Sequence, residues 1–161
     1  MAMNDRGELR LQQFLPYRLS ITSNLASDVI AGAYRTLFGL RIPEWRLIAV
    51  IAESEGLTQL EVGRATRMDK VTVSRAAIAL LRRRLIERRP NPRDGRSHFL
   101  YLTPAGRTLY AEVAPKALQL EARLFAGFTQ DELDGFRAML QRIENAALEA
   151  MSGAEASAQE G

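Results

Sequence analysis

The sequence predicts a mainly helical fold carrying one short β-ribbon, and three observations predict it. Apolar residues recur at helix-like spacing through most of the 161 residues, separated by capping and stop residues. One stretch, residues 85–102, breaks that rhythm: Pro90-Asn91-Pro92 and Asp94-Gly95 punctuate it, and Ser97-His98-Phe99-Leu100 starts to alternate polar and apolar. The formal net charge is only +3, yet residues 64–107 hold 12 basic and 3 acidic side chains, between segments that are near-neutral or acidic.

Each element follows from local chemistry. Leu19, Ile21, Leu25, Val29, Ile30, Ala33 and Leu37 define a long first helix from about Leu15 to Phe38, with Pro16 in its first turn and Gly39 closing it. Pro43 opens a second helix that runs to about Ser54 and stops before Gly56. Thr58 and Glu61 have the spacing of a capping box, which starts a short third helix ending near Thr66. Asp69 caps a fourth, Lys70 to about Arg83, with Val73, Ala77, Leu80 and Leu81 facing a core. Residues 85–89 and 97–102 read as a two-stranded hairpin with an arginine-bearing tip. Thr103-Pro104 caps a fifth helix to about Phe125, in which Pro115 should cause a bend or a break. Thr129 and Glu132 repeat the capping box for a sixth helix to about Met151, striped by Leu133, Phe136, Leu140, Ile143 and Ala147. The small, polar and acidic residues beyond it read as disordered.

Composition excludes several functions. Zero cysteine removes disulfides, thiolate metal ligands and thiol nucleophiles; His98 is the lone histidine, so a metal site would need carboxylates. No acid, base and nucleophile converge and no glycine-rich phosphate loop is present, so neither a catalytic nor a cofactor site is expected. With 47% hydrophobic and 25% charged residues and no apolar run of membrane-spanning length, the chain reads as globular with no membrane partner. The polar start, residues 1–10, has no secretory pattern, and a cytoplasmic location is the expectation.

The third and fourth helices, joined by Arg67-Met68-Asp69, have the form of a helix-turn-helix, and the hairpin after them supplies a wing. The positive block covers the same elements, so double-stranded DNA is the partner to which motif and charge jointly point. The N-terminal half of the fourth helix would enter the major groove, where Lys70, Thr72, Ser74 and Arg75 can reach base edges or phosphates. The other reading of these residues is a solvated helix face. Long amphipathic helices at both chain ends need a place to bury their stripes, either a two-fold partner or an intramolecular bundle.

The run Trp45 to Ile51, Thr58 to Ala65, Asp69-Lys70-Val71-Thr72-Val73-Ser74-Arg75, Leu85-Ile86-Glu87-Arg88, Asp94-Gly95-Arg96 and Leu102-Thr103-Pro104-Ala105-Gly106 resembles the MarR family of winged helix-turn-helix transcriptional regulators. The resemblance covers roughly residues 10–150. It implies a winged helix-turn-helix domain with a helical dimerisation region formed by the N- and C-terminal helices, in a homodimer. The expected divisions are a dimerisation helix over 10–40, a DNA-binding domain over 41–104, dimerisation helices over 105–151 and a disordered tail over 152–161. A two-fold dimer would set its recognition helices about 34 Å apart, matching a pseudopalindromic operator.

The resemblance also implies that the Asp94 carboxylate orients the Arg96 guanidinium for the minor groove, with Arg93 on a phosphate; a turn with a surface ion pair is the alternative. It further implies a repressor released by a small anionic aromatic effector, an acid or a coenzyme A ester. The nearby aromatic or cationic residues are Tyr17, Arg18, Tyr34, Trp45 and Arg46, each of which can equally be core or helix surface. Absence of cysteine excludes the thiol-oxidation subtype, and a lone wing histidine argues against the zinc-sensing one. Two departures stand out. Arg84 replaces the usual glycine between recognition helix and wing, at a cost of roughly 1 kcal/mol if it is left-handed. Ile78 and Leu81 stand where charge is usual, which suggests a more deeply buried fourth helix. Two other functions share the charge block: an architectural DNA binder without sequence preference, and a winged-helix protein-interaction module.

Overall fold

The computed structural model describes the backbone of residues 9–159, with side chains as far as Gly153. The chain forms two compact units, one up to Glu121 and one from Ala122 onward. A 3-10 turn at Leu11–Gln13 precedes α1 (Leu15–Phe38), α2 (Ile42–Ala52), β1 (Leu57–Thr58), α3 (Gln59–Thr66), α4 (Lys70–Arg82), β2 (Ile86–Pro90), β3 (His98–Leu102), α5 (Pro104–Leu124) and α6 (Gln130–Gln159). The mainly helical class with a winged helix-turn-helix is therefore the observed fold.

Side-chain and glycine caps set most of these boundaries. Gly39, at φ 59°, ends α1 in the left-handed conformation, and the next amide, from Leu40, donates back to the Tyr34 carbonyl at 3.2 Å. Thr58 Oγ1 accepts from the Glu61 amide (3.3 Å) while the Glu61 carboxylate accepts from the Thr58 amide (2.7 Å), completing the capping box of α3. The Thr58 amide and then the Thr58 hydroxyl, which donates to the same carboxylate at 2.8 Å, hold the Glu61 carboxyl below its usual range, with Arg64 adding to the effect. At α2 the sequence concealed the device: Glu44, only 5% exposed, accepts from the Arg41 amide (3.0 Å) and Nε (2.9 Å). A buried carboxylate is thereby satisfied by its own helix start.

The sheet has three strands in the order β1-β3-β2, all antiparallel, with Leu57 opposite Leu100 and Ile86 opposite Leu102. The expected two-stranded ribbon gains β1, a pair of residues too short to show any alternation. Pro115 does not interrupt α5. The carbonyl it deprives of a donor belongs to Ala111, which is exposed and can bond water. The disordered tail expected from residue 152 is helical as far as Gln159, because Ala154, Ala156 and Ala158 favour helix and no proline follows Met151. Residues 160 and 161 of that tail lie outside the described residues.

The core of the first unit joins the end of α1 (Tyr34), Leu40, α2 (Leu47, Ile48, Ile51), α3 (Val62), α4 (Val73, Ala76, Ala77, Leu80), the sheet (Ile86, Leu100, Leu102) and α5 (Val113). It leaves one side of α4 uncovered. Leu81 packs against the core, but Ile78 is 40% exposed, because it repeats in phase with Val71 and Arg75 rather than with Val73 and Leu80. Deeper burial of α4 therefore holds for Leu81 alone. Among the described residues, no helix is long and apolar enough to cross a membrane, and no three metal-capable side chains cluster.

Candidate nucleic-acid interface

Helix α4 starts where Asp69 accepts from the Thr72 amide (2.9 Å) and from the Thr72 hydroxyl (2.6 Å). The two Thr72 bonds, side chain first, lower the Asp69 carboxyl below its usual value. Thr72 is thus only half-exposed and its hydroxyl proton is committed to the cap, which removes it as a free donor to a base. Lys70 and Arg75 are exposed, Ser74 half-exposed, and neither cation has a side-chain partner among the described residues. Arg67, which ends α3 at φ 56°, adds another exposed cation at the corner between the two helices.

The wing tip is built by two successive turns in which a side chain accepts from the main chain two residues on. Asn91 Oδ1 accepts from the Arg93 amide (2.9 Å), and Asp94 Oδ1 from the Arg96 amide (3.0 Å). Asn91 Nδ2 also donates to Ser97 Oγ at 2.8 Å, and the Ser97 amide donates to the Asp94 carbonyl at 3.0 Å. Asp94 therefore shapes the loop through the Arg96 backbone, and among the described residues it makes no ion pair with the Arg96 guanidinium. Aspartate two residues before an amide is in reach of that amide at once, whereas the long arginine side chain is free to point outward.

Gln59, Leu60 and Arg64 of α3 line two adjoining cavities. One, of about 680 Å³, is shared with Asp69, Lys70 and Val73 of α4. The other, of about 460 Å³, is shared with Arg88, Asp94, Arg96 and His98 of the wing. The exposed side of α3 therefore lies between the start of α4 and the wing tip. Arg64 enters this cationic surface without having been singled out by sequence; only its place in the positive block pointed to it, and Arg88 and His98 lie beside it.

The remaining arginines divide by partner. Arg89 donates twice to Glu87 (2.9 and 2.6 Å) and lies 4.5 Å over the Tyr101 ring. Arg83 donates to the Gly39 and Phe38 carbonyls at 3.0 and 3.3 Å, tying the end of α4 to the end of α1. Arg82, Arg84 and Arg88 are exposed and have no side-chain acceptor among the described residues.

This geometry matches known proteins. A MarR family model matches residues 38–97, which contain α2, the helix-turn-helix, β2 and the wing tip. Over that segment the chain is similar to the MarR family. The transcriptional regulator HosA of Escherichia coli O111:H- is 23% identical over 65% of this chain and 77% of its own. A probable transcriptional regulator from Pseudomonas aeruginosa is 27% identical, covering 83% of this chain and 99% of its own with a TM-score of 0.74. A MarR/EmrR family regulator from Acinetobacter sp. ADP1 superposes with a TM-score of 0.81 at 23% identity, covering 88% and 99%. The same fold occurs in the DNA complex of S. aureus MepR (20% identity, 83% and 98% covered, TM-score 0.74). It occurs also in CouR from Rhodococcus jostii RHA1 bound to p-coumaroyl-CoA (21% identity, 84% and 95% covered, TM-score 0.74). The family and its relatives are transcriptional regulators, not enzymes.

The motif elements that resemble the MarR family have visible structural reasons. Arg84 adopts φ 56° and completes the end of α4: its amide donates to Leu81 O (3.0 Å), and the Leu85 amide reaches back to Leu80 O (3.0 Å). The left-handed position that glycine would occupy without strain is thus filled by arginine. Thr103 Oγ1 donates to Arg84 O (2.7 Å) and accepts from the Gly106 amide (3.1 Å), joining the same turn to the start of α5. At Gly106 a Cβ would run into the Leu85 carbonyl, so the glycine is what lets α5 approach the wing base.

Of the five residues weighed for an effector, Tyr34 and Trp45 are brought together, and Tyr17 and Arg18 stand apart from them. Tyr34 is 3% exposed within the core, and burial pushes its hydroxyl pKa up. Its ring lies 5.5 Å from Trp45, which stacks on Tyr110 at 5.7 Å. Tyr17 and Arg18 stand at the opposite end of α1, about 25 Å away along a continuous helix at 1.5 Å per residue. Arg18 bonds Gln12 at 3.1 Å, and Arg46 is exposed. Within one protomer the five residues therefore cannot line a single pocket, a fact of helix length that linear proximity conceals. Neither cavity beside α3 touches the aromatic row.

Proposed function

We propose that this transcriptional regulator binds a pseudopalindromic operator in duplex DNA as a homodimer, acts as a repressor, and is released by a small anionic aromatic effector. The observation that carries the reading is the set of exposed cations Lys70, Arg75, Arg93 and Arg96, unpartnered among the described residues, on the two elements that flank α3. Cations held without internal partners break no internal bond on engaging phosphates and release counterions when they do. Lys70, Ser74 and Arg75 meet the major groove; Thr72 supports them through the Asp69 cap; Arg96 enters the minor groove, Asp94 shapes its loop, and Arg93 meets a phosphate.

Residues 41–104 form the DNA-binding domain, and residues 10–40 and 105–151 pair two copies. MepR solved on DNA and CouR solved with p-coumaroyl-CoA support the partner and effector classes at the level of fold. The effector is an aromatic acid or its coenzyme A ester, held near Tyr34, Trp45 and Arg46 of one copy. Tyr17 and Arg18 contribute from the second copy. The test is selection of fragments from the source genome by the purified protein in excess random duplex. A recurrent inverted repeat is expected, and Arg96→Ala should weaken binding to it by about 1–3 kcal/mol. Equal capture of all fragments would contradict a sequence-specific regulator.

A further inference from the structure

The outward face of α4 is not simply cationic. Val71, Arg75, Ile78 and Arg82 follow one another at intervals of four, three and four residues, forming one exposed stripe. Val71 is 57% exposed in the second residue of the helix, beside Lys70, with a β-branched side chain that is stiff about its first torsion. Its branched methyls and the Lys70 ammonium therefore occupy the first turn together. The neighbouring Thr72 hydroxyl already donates to Asp69. The first turn accordingly offers one cation and one rigid apolar group, rather than a row of hydrogen-bond donors.

We propose that Val71 is a specificity-determining residue that reads the C5-methyl group of a thymine in each operator half-site. This inference rests on the DNA-binding reading above. The major groove presents one apolar group, the thymine methyl, and a side chain with no polar atom can discriminate there only by contacting it. The charge around Val71 fixes the occupant: Lys70 and Arg75 on either side favour a polyanion and repel the same face of a second copy. Cytosine or uracil at that position leaves the valine methyls against a polar edge or a void.

The experiment takes the full chain and a site selected from a random duplex pool, then replaces each thymine singly by deoxyuridine, which removes only the methyl. Wild type is expected to lose about four-fold in affinity at one thymine per half-site, and about fifteen-fold when both symmetric positions are changed, the value of burying one methyl-sized group. Val71→Ala should bind the thymine site more weakly by a similar factor and no longer distinguish thymine from uracil there. Because Val71 is exposed and alanine favours helix, an unchanged thermal midpoint will show that the variant is folded. Salt-sensitive binding that is blind to uracil at every position overturns this inference alone, as does discrimination that persists in Val71→Ala. Absence of any duplex binding overturns both readings.

Discussion

The winged-helix elements bury their apolar side chains against one another, whereas among the described residues of α6 none is fully buried and only Leu133 and Leu140 are half-buried. From α2 to the start of α5, Leu47, Ile48, Val62, Leu80 and Leu100 are fully enclosed, and no buried side-chain polar atom among the described residues lacks a partner. Along α6 the apolar residues Phe136, Met139, Ile143, Leu148 and Met151 follow helical spacing as regularly, yet all are exposed. The first part of α1 behaves like α6, with Leu15, Leu19, Leu25 and Val29 exposed, until Ile30 and Tyr34 join the core. The same periodicity thus has two outcomes. Where several short elements converge, the stripe is satisfied inside the chain; on the long helices it awaits a second surface, which the proposed homodimer supplies.

Substitutions can break this contrast. Leu47→Ala should cost about 2–5 kcal/mol in chemical denaturation, by the same amount at every protein concentration. Ile143→Ala should leave a low-concentration sample little changed and instead shift the monomer–dimer equilibrium measured by sedimentation. A concentration-independent loss at Ile143 as large as that at Leu47 would erase the distinction. Between these extremes lies the cap of α4. Asp69→Ala should lower the denaturation midpoint near neutral pH, because the cap of α4 is lost. The Asp69 carboxyl is depressed in the folded protein, so its contribution is complete above the ordinary carboxylate range near 4 and disappears as pH falls through the depressed value. The gap between wild-type and variant melting curves should therefore close on acidification below about pH 4. Glu61 and Glu132, held low by the main-chain and side-chain bonds of Thr58 and Thr129, should follow the same sign.

The smallest effect runs the other way. Arg84→Gly should stabilise by up to about 1 kcal/mol, since glycine takes φ 56° without a Cβ clash and no internal partner of the side chain is lost. An unchanged or lower denaturation midpoint would mean that Arg84 gains something from its position that outweighs the backbone strain.

What the sequence disclosed followed the range of each interaction. Helices α1 to α5 were legible to within about two residues because Gly39, Thr58, Asp69 and Thr103 act on neighbours in the chain. β1 was not, because two residues become a strand only through Leu100 and Phe99, some forty positions later. The cationic surface was legible as a block of charge, but the partners that sort it were not: Arg83 reaches α1, Arg89 folds onto Glu87 and Tyr101, and Thr72 turns to Asp69. The effector residues were legible only as residue types: Tyr17 and Tyr34 lie on one rigid helix that holds them apart within a protomer.

The central claim, that the exposed cations of α4 and the wing engage duplex DNA, is tested most directly by titrating the protein against a selected duplex between 50 and 200 mM salt. The account predicts a linear fall of log affinity with log salt; for about six to ten neutralised phosphates over two half-sites, affinity drops by a factor on the order of a thousand or more. An affinity that stays level across that range would contradict it.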